Sequence, residues 1–157
     1  MRHGQADPAT SRLSDYDRCL STLGEQQAKS AAQHLQNLYL QPQKILCSPA
    51  DRTKSTALIV SQRLNMATHQ IVFAPRLYEA SLSDFLTLLT EQGDNTNVLM
   101  LIAHNPGLEK LLHYLNLPRQ EKYYLHTASL AVLSINKAWH LIEDGDANLI
   151  SLIPGKH

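Results

Sequence analysis

The chain has 157 residues, 43% hydrophobic and 18% charged, with Lys plus Arg equal to Asp plus Glu at 14 each and two cysteines. A balanced charge with no block of one sign gives no support to a polyanion-binding role, so neither a nucleic-acid nor a membrane partner is expected. Cys19 and Cys47 do not make a disulfide framework or a zinc site, no apolar run approaches the ~20 residues of a membrane span, and no signal-peptide core is seen. The expectation is one soluble, cytoplasmic domain over 1–157, large enough to bury about 70% of the surface its unfolded chain exposes.

The chain opens on Arg2-His3-Gly4, which sets a phosphate-binding cation beside a nucleophilic imidazole, with a glycine where the backbone must come close to a ligand. Residues 7–21 are polar and without period, and read as a loop. Thr22 and Glu25 form a capping-box pattern, and Ala28, Ala31, Ala32, Leu35, Leu38 and Tyr39 then recur at helical spacing until Pro42. A short strand is predicted over 44–47. Ser48-Pro49 then predicts a helix with Ser48 at the cap, Pro49 in the first position and Asp51 and Arg52 in the first turn, where free N–H groups and the Arg would favour an anion.

A strand over 70–73, a loop over 75–81 holding Leu77-Tyr78-Glu79, and a helix over 83–90 follow. The unbroken apolar run 98–103 has strand length and implies burial on both faces, as in a parallel sheet covered by helices. His104 stands at its end, and Asn105-Pro106 predicts the cap and first turn of a helix carrying Leu108, Leu111, Leu112 and Leu115. Segments 129–135, 139–142 and 148–153 read as strands, the Trp139 segment alternatively as a hairpin arm at the sheet edge. The alternation predicts a three-layer α/β/α domain with a mostly parallel sheet, whose ligands bind beyond the carboxyl ends of the strands. His3, Arg52 and His104 all fall at such junctions and can converge on one crevice. With Arg2 and Glu79 they are the residue types that a phosphoryl-transfer site with a covalent histidine intermediate requires.

With these residues assembled, the chain resembles the histidine phosphatase superfamily, the phosphoglycerate mutase-like group, and within it the small SixA-type phosphohistidine phosphatases. The likeness rests on Arg2-His3-Gly4, Arg18 with Leu20-Ser21 and Gly24, Ser48-Pro49-Ala50 with Arg52-Thr53, Leu77-Tyr78-Glu79-Ala80-Ser81, and His104-Asn105-Pro106-Gly107. The resemblance implies that His3 is the nucleophile, that Arg2, Gly4, Arg52, His104 and Asn105 bind the phosphoryl group, and that Glu79 protonates a leaving alkoxide. It implies no cofactor and no metal. Set against that fold, the chain lacks the strand that would lead into Arg2, so either truncation or a misplaced start, the favoured expectation, or another segment filling the central slot of the sheet is implied.

No long insertion separates Phe73 from Val98, where larger relatives build a cap, so an open site is expected. Such a site suits a phosphohistidine presented by another protein in a phosphorelay or phosphotransfer system, with the protein itself a monomer. A small-molecule phosphomonoesterase and a non-catalytic phosphate-binding module are the alternatives. His34, His69, His113, His126, His140 and His157 show no metal-ligand spacing. Cys47 to Arg52 falls one residue short of the Cys-x5-Arg loop of cysteine phosphatases, and Pro49 removes one N–H that such a loop needs.

Overall fold

A computed structural model describes residues 1–9, 11, 14–116 and 122–155 of the chain; His157 and parts of the 7–21 loop (residues 10, 12 and 13) lie outside the described residues. Among the described residues four α-helices and five strands follow in order: α1 (Thr22–Asn37), β1 (Lys44–Cys47), α2 (Asp51–Arg63), β2 (Ile71–Phe73), α3 (Leu82–Thr90), β3 (Leu99–Ile102), α4 (Gly107–Leu115), β4 (Leu130–Ile135) and β5 (Ala147–Ile153). The parallel sheet has the order β2-β1-β3, with Ile45 opposite both Ile71 and Met100, while β4 and β5 form an antiparallel pair.

The three layers follow from the period-two alternation of strand side chains. Ile45, Cys47, Met100 and Ile102 turn to the face covered by α1 and α2, among Ala31, Leu35 and Val60. Leu46, Leu99 and Leu101 turn to the opposite face, among Phe85, Leu108 and Leu112 of α3 and α4. Both faces are therefore apolar, which is why β3 reads as an unbroken hydrophobic run.

The chain start joins the sheet by a single residue pair. Arg2 makes a parallel bridge to Ala103, with the His3 N–H on the Ala103 carbonyl at 3.2 Å and the Met1 nitrogen on the Leu101 carbonyl at 2.8 Å. On its other side, the Arg2 N–H reaches the Ser129 carbonyl at 3.1 Å and the Ala128 N–H reaches the His3 carbonyl at 2.8 Å. Met1 to His3 thus lies between the end of β3 and the start of β4. It delivers His3 to the carboxyl end of the sheet beside His104. Below this bridge, β3 and β4 flank an apolar cleft of about 540 Å³ lined by Met1, Leu99, Leu101, Leu111, Leu130 and Val132 among others. Among the described residues no helix is long and apolar enough to cross a membrane.

Four local expectations are corrected. The cap of α1 is Ser21, not Thr22: its hydroxyl accepts from the Gly24 N–H at 3.1 Å, and the helix ends at Asn37, before a left-handed Tyr39 (φ 53°). α2 begins at Asp51 with Ala50 at the cap, because Ser48 is still bound to the strand layer through its N–H on the Ile102 carbonyl, 3.0 Å. α4 begins at Gly107 after a cis Asn105-Pro106 bond, and the Asn105 side chain caps nothing. Trp139–Leu141 is a short 3₁₀ turn rather than a strand, pinned by the indole N–H on the Thr96 carbonyl at 2.5 Å.

Candidate active site

The three junction residues meet in a cleft of about 750 Å³ that Arg2, His3, Asp15, Arg52, Tyr78, Glu79, His104 and Asn105 help to line. His3 is 8% exposed, and its ring lies 5.2 Å from that of His104 between centroids. Its Nδ1 is 2.6 Å from the carbonyl oxygen of Gly4. A carbonyl accepts only, so Nδ1 carries the proton and Nε2 presents a lone pair to the cleft. Burial first, with added repulsion from His104, Arg52 and Arg2, pushes the His3 pKa from 6.5 down to about 3 against the opposing Gly4 bond. The imidazole is therefore neutral at pH 7, the form in which it is a nucleophile.

Gly4 holds this arrangement by backbone contact. Its N–H donates to the Thr56 hydroxyl at 3.1 Å, and that hydroxyl donates to the Arg52 carbonyl at 2.7 Å, tying the His3 loop to α2. A Cβ at Gly4 would run into the backbone carbonyl of Gly24, so two glycines let the loop and the first turn of α1 cross at contact distance. The Gly4 N–H is spent in this frame and is not offered to a ligand.

Arg52, 5% exposed, occupies the second position of α2 and turns its guanidinium across the cleft floor. Its Nε lies 3.3 Å from His3 Nε2, and its Nη2 lies 3.3 Å from His104 Nδ1. Guanidinium nitrogens only donate, so both imidazole nitrogens accept, and His104 then donates from Nε2 to the Ser48 hydroxyl at 2.8 Å. Burial, then Arg52, pushes the His104 pKa from 6.5 to about 4 despite Asp15, with Arg2 adding to the depression. The start of α2 adds less than expected: the N–H groups of Asp51, Thr53 and Lys54 are already bonded to Tyr16 and Ala50 carbonyls. The cation offered to the cleft at this helix start is the Arg52 side chain.

Arg2 lines the same cleft, with Nη1 on the Leu125 carbonyl at 2.9 Å and a buried Nε–H that has no partner among the described residues. An orphaned cationic donor beside a neutral nucleophile is suited to an incoming anion. Asn105 is brought to the cleft but spends its amide on Glu109, at 2.7 Å, and on the Leu125 carbonyl, at 2.8 Å, so it braces the segment that Arg2 holds. Glu79 is exposed at the rim, with its backbone in the left-handed region (φ 54°).

Three contributors escape the sequence reading. Ser48 orients His104. Tyr78 stacks edge-on against Tyr16 at 5.0 Å and against His104 at 5.7 Å. Asp15 reaches Arg52 Nη2 with its carboxylate at 2.7 Å from a loop 37 positions away. Ser48 and Tyr78 had a local signal, in Ser48-Pro49-Ala50 and Leu77-Tyr78-Glu79, and Asp15 had none. Cys47 is no rival nucleophile: it is fully buried, and burial pushes its thiol up to about 12 against opposing contributions from Thr53 and Lys54. Among the described residues no group of three or more His, Cys, Asp or Glu is placed to hold a metal ion.

Comparison with known proteins places this geometry in a family. The SixA protein of Nakamurella multipartitia superposes with a TM-score of 0.86 at 21% identity, covering 100% of this chain and 94% of that one. SixA of Agrobacterium tumefaciens gives 0.82 at 26% identity, over 98% and 94%. A mycobacterial glucosyl-3-phosphoglycerate phosphatase gives 0.69 at 19% identity, over 99% and 96%. An uncharacterized protein of Picosynechococcus sp. is 36% identical over 109 residues, and an uncharacterized chloroplastic protein of Arabidopsis thaliana is 30% identical over 118. These matches take in 69% and 70% of this chain but span only 66% and 54% of the two relatives. The family model of the histidine phosphatase superfamily (branch 1) matches residues 1–98, the stretch that carries His3, Arg52 and Glu79. With its phosphoglycerate mutase-like α/β fold, the chain belongs to the histidine phosphatase superfamily.

Proposed function

We propose that this chain is a metal-independent phosphatase that works through a phosphohistidine on His3 and acts, in the cytoplasm, on phosphohistidine carried by another protein. The observation that carries the chemistry is the His3 imidazole: neutral, with Nδ1–H on the Gly4 carbonyl and the Nε2 lone pair facing the Arg52 guanidinium. In the first step Nε2 attacks phosphorus, a P–N bond forms, and the bond from phosphorus to the leaving group breaks. Arg2 and Arg52 take the charge that spreads over the phosphoryl oxygens, while His104, neutral and donating to Ser48, holds the Arg52 guanidinium in place, so the charge stabilisation asks for no metal. In the second step water attacks phosphorus, the P–N bond to His3 breaks, and inorganic phosphate leaves.

A protein substrate is supported by the open cleft and by the likeness to SixA structures. The stretch between β2 and β3 is filled by a 3₁₀ turn and α3, leaving no room in sequence for a cap over the cleft. A second reading has its own support: Glu79 stands at the rim as a proton donor for an alkoxide, and a glucosyl-3-phosphoglycerate phosphatase shares the fold. The two separate by rate. Phosphate release is followed from a phosphohistidine-bearing phosphotransfer domain and from a sugar phosphate, with wild type and His3→Ala. The proposal expects kcat/KM at least 100-fold higher on the phosphoprotein and none with the variant. Preference for the sugar phosphate, with Glu79→Gln slowing that reaction, would replace it with the second reading.

A further inference from the structure

The cation that faces His3 is already occupied. Both Nη groups of Arg52 turn to one residue: Nη1 donates to the Asp15 carbonyl, and Nη2 to Asp15 Oδ2 at 2.7 Å while lying 3.3 Å from His104. Asp15 Oδ2 also accepts from the Tyr78 hydroxyl at 3.3 Å, and Oδ1 from Arg18 Nη1 at 3.0 Å. A phosphoryl group bonded to His3 Nε2 would bring three oxygens to the donors that this carboxylate now uses.

We propose that Asp15 is an internal anion of the phosphoryl site, neutralising Arg52 until the phosphoryl group displaces it, and so sets how tightly the site holds oxyanions. This rests on the reading of the cleft as a phosphoryl site. Two further features favour displacement over a fixed structural pair. The Asp15 side chain is 52% exposed whereas that of Arg52 is 6% exposed, so the carboxylate can move into water and the guanidinium cannot. Asp15 also has a second cation, Arg18, on the same turn and 25% exposed, so an ion pair travels with the carboxylate when it leaves Arg52. Although desolvation opposes it, the hydrogen bonds from Arg18, Arg52 and Tyr78 hold the Asp15 carboxyl down at about 2, so it is an anion throughout the working range.

The test is calorimetric titration of inorganic phosphate into wild type, Asp15→Asn and Asp7→Asn at pH 7.5. Asp7→Asn removes the same charge nearby without touching Arg52, since Asp7 meets Arg18 only through its backbone carbonyl. One like charge removed from beside a bound anion in a half-exposed site is expected to tighten phosphate binding about tenfold in Asp15→Asn. Asp7→Asn should stay within twofold of wild type, and KM for a phosphorylated substrate should fall in step with the phosphate constant. Unchanged or weaker phosphate binding in Asp15→Asn would overturn the inference and make Asp15 a residue that orients Arg52. No phosphate binding by any of the three proteins would remove the phosphoryl-site reading itself.

Discussion

Replacing Gly4 with alanine tests whether the nucleophile is placed by a backbone crossing. The added Cβ would lie 3.0 and 3.1 Å from the Gly24 carbonyl carbon and Cα, and nearer still to the Gly24 oxygen. All three are backbone atoms of the first turn of α1, so no side chain can swing away. Ordinary carbon contacts need about 3.5 Å or more, so the His3 loop and α1 must part by at least about half an ångström. Overpacking of this kind costs about 1–3 kcal/mol, and in a domain of this size that lowers Tm by roughly 2–12 °C. The larger effect falls on chemistry. The Gly4 carbonyl is the partner of His3 Nδ1, so the shift moves Nε2, and misplacement approaching 1 Å costs on the order of 100-fold in rate. Gly4 is not among the residues with positive φ, so strain in the backbone angle does not confound the comparison. The assay is kcat/KM for phosphate release with a parallel thermal melt. A Gly4→Ala protein within twofold of wild-type kcat/KM and within 1 °C of its Tm would refute the reasoning.

Acid should destabilise the fold through the two site histidines before Asp15 is protonated. His3 and His104 are held neutral down to about 3 and about 4, whereas in the unfolded chain they take up protons near 6.5. Their contribution is therefore complete above pH 6.5 and is lost as pH falls toward those values, on the order of 5 kcal/mol by pH 4. Asp15, depressed rather than raised, loses its contribution only between 3.8 and about 2, outside that window. Thermal melts from pH 7.5 to 4.5 should fall steeply in wild type and more gently in His3→Gln and His104→Gln; parallel curves would contradict this. Cysteine labelling at pH 8 should modify exposed Cys19 and spare Cys47 in the folded protein, and equal labelling of both would show that Cys47 is accessible.

The layers and most of the site were legible because they depend on local pattern. An apolar run of strand length, a helix-spaced set of alanines and leucines, and an Arg or His at the seam between them are visible within a dozen residues. This is why His3, Arg52 and His104 were found at the carboxyl end of the sheet. Features made by distant parts of the chain were not legible. Ser48-Pro49 has the pattern of a helix start, yet the Ser48 hydroxyl is taken by His104, 56 positions away, and the helix begins three residues later. Ser21 and Thr22 are both competent caps. Contact of Gly24 with Gln5 favours the register in which Ser21 holds Gly24, and that contact has no local signature. Trp139 sits in an apolar stretch that suits a strand, but its indole hydrogen bond to Thr96 is tertiary. Asp15 belongs to a polar loop without period, and only the fold brings it to Arg52.

The most direct test of the covalent route is the intact mass of the protein after brief exposure to a phosphoramidate donor, quenched at alkaline pH where phosphohistidine survives. Wild type should carry one transient, acid-labile phosphoryl group mapping to His3, and His3→Ala should carry none. Turnover without such an adduct, or an adduct that persists in folded His3→Ala, would contradict His3 as the nucleophile.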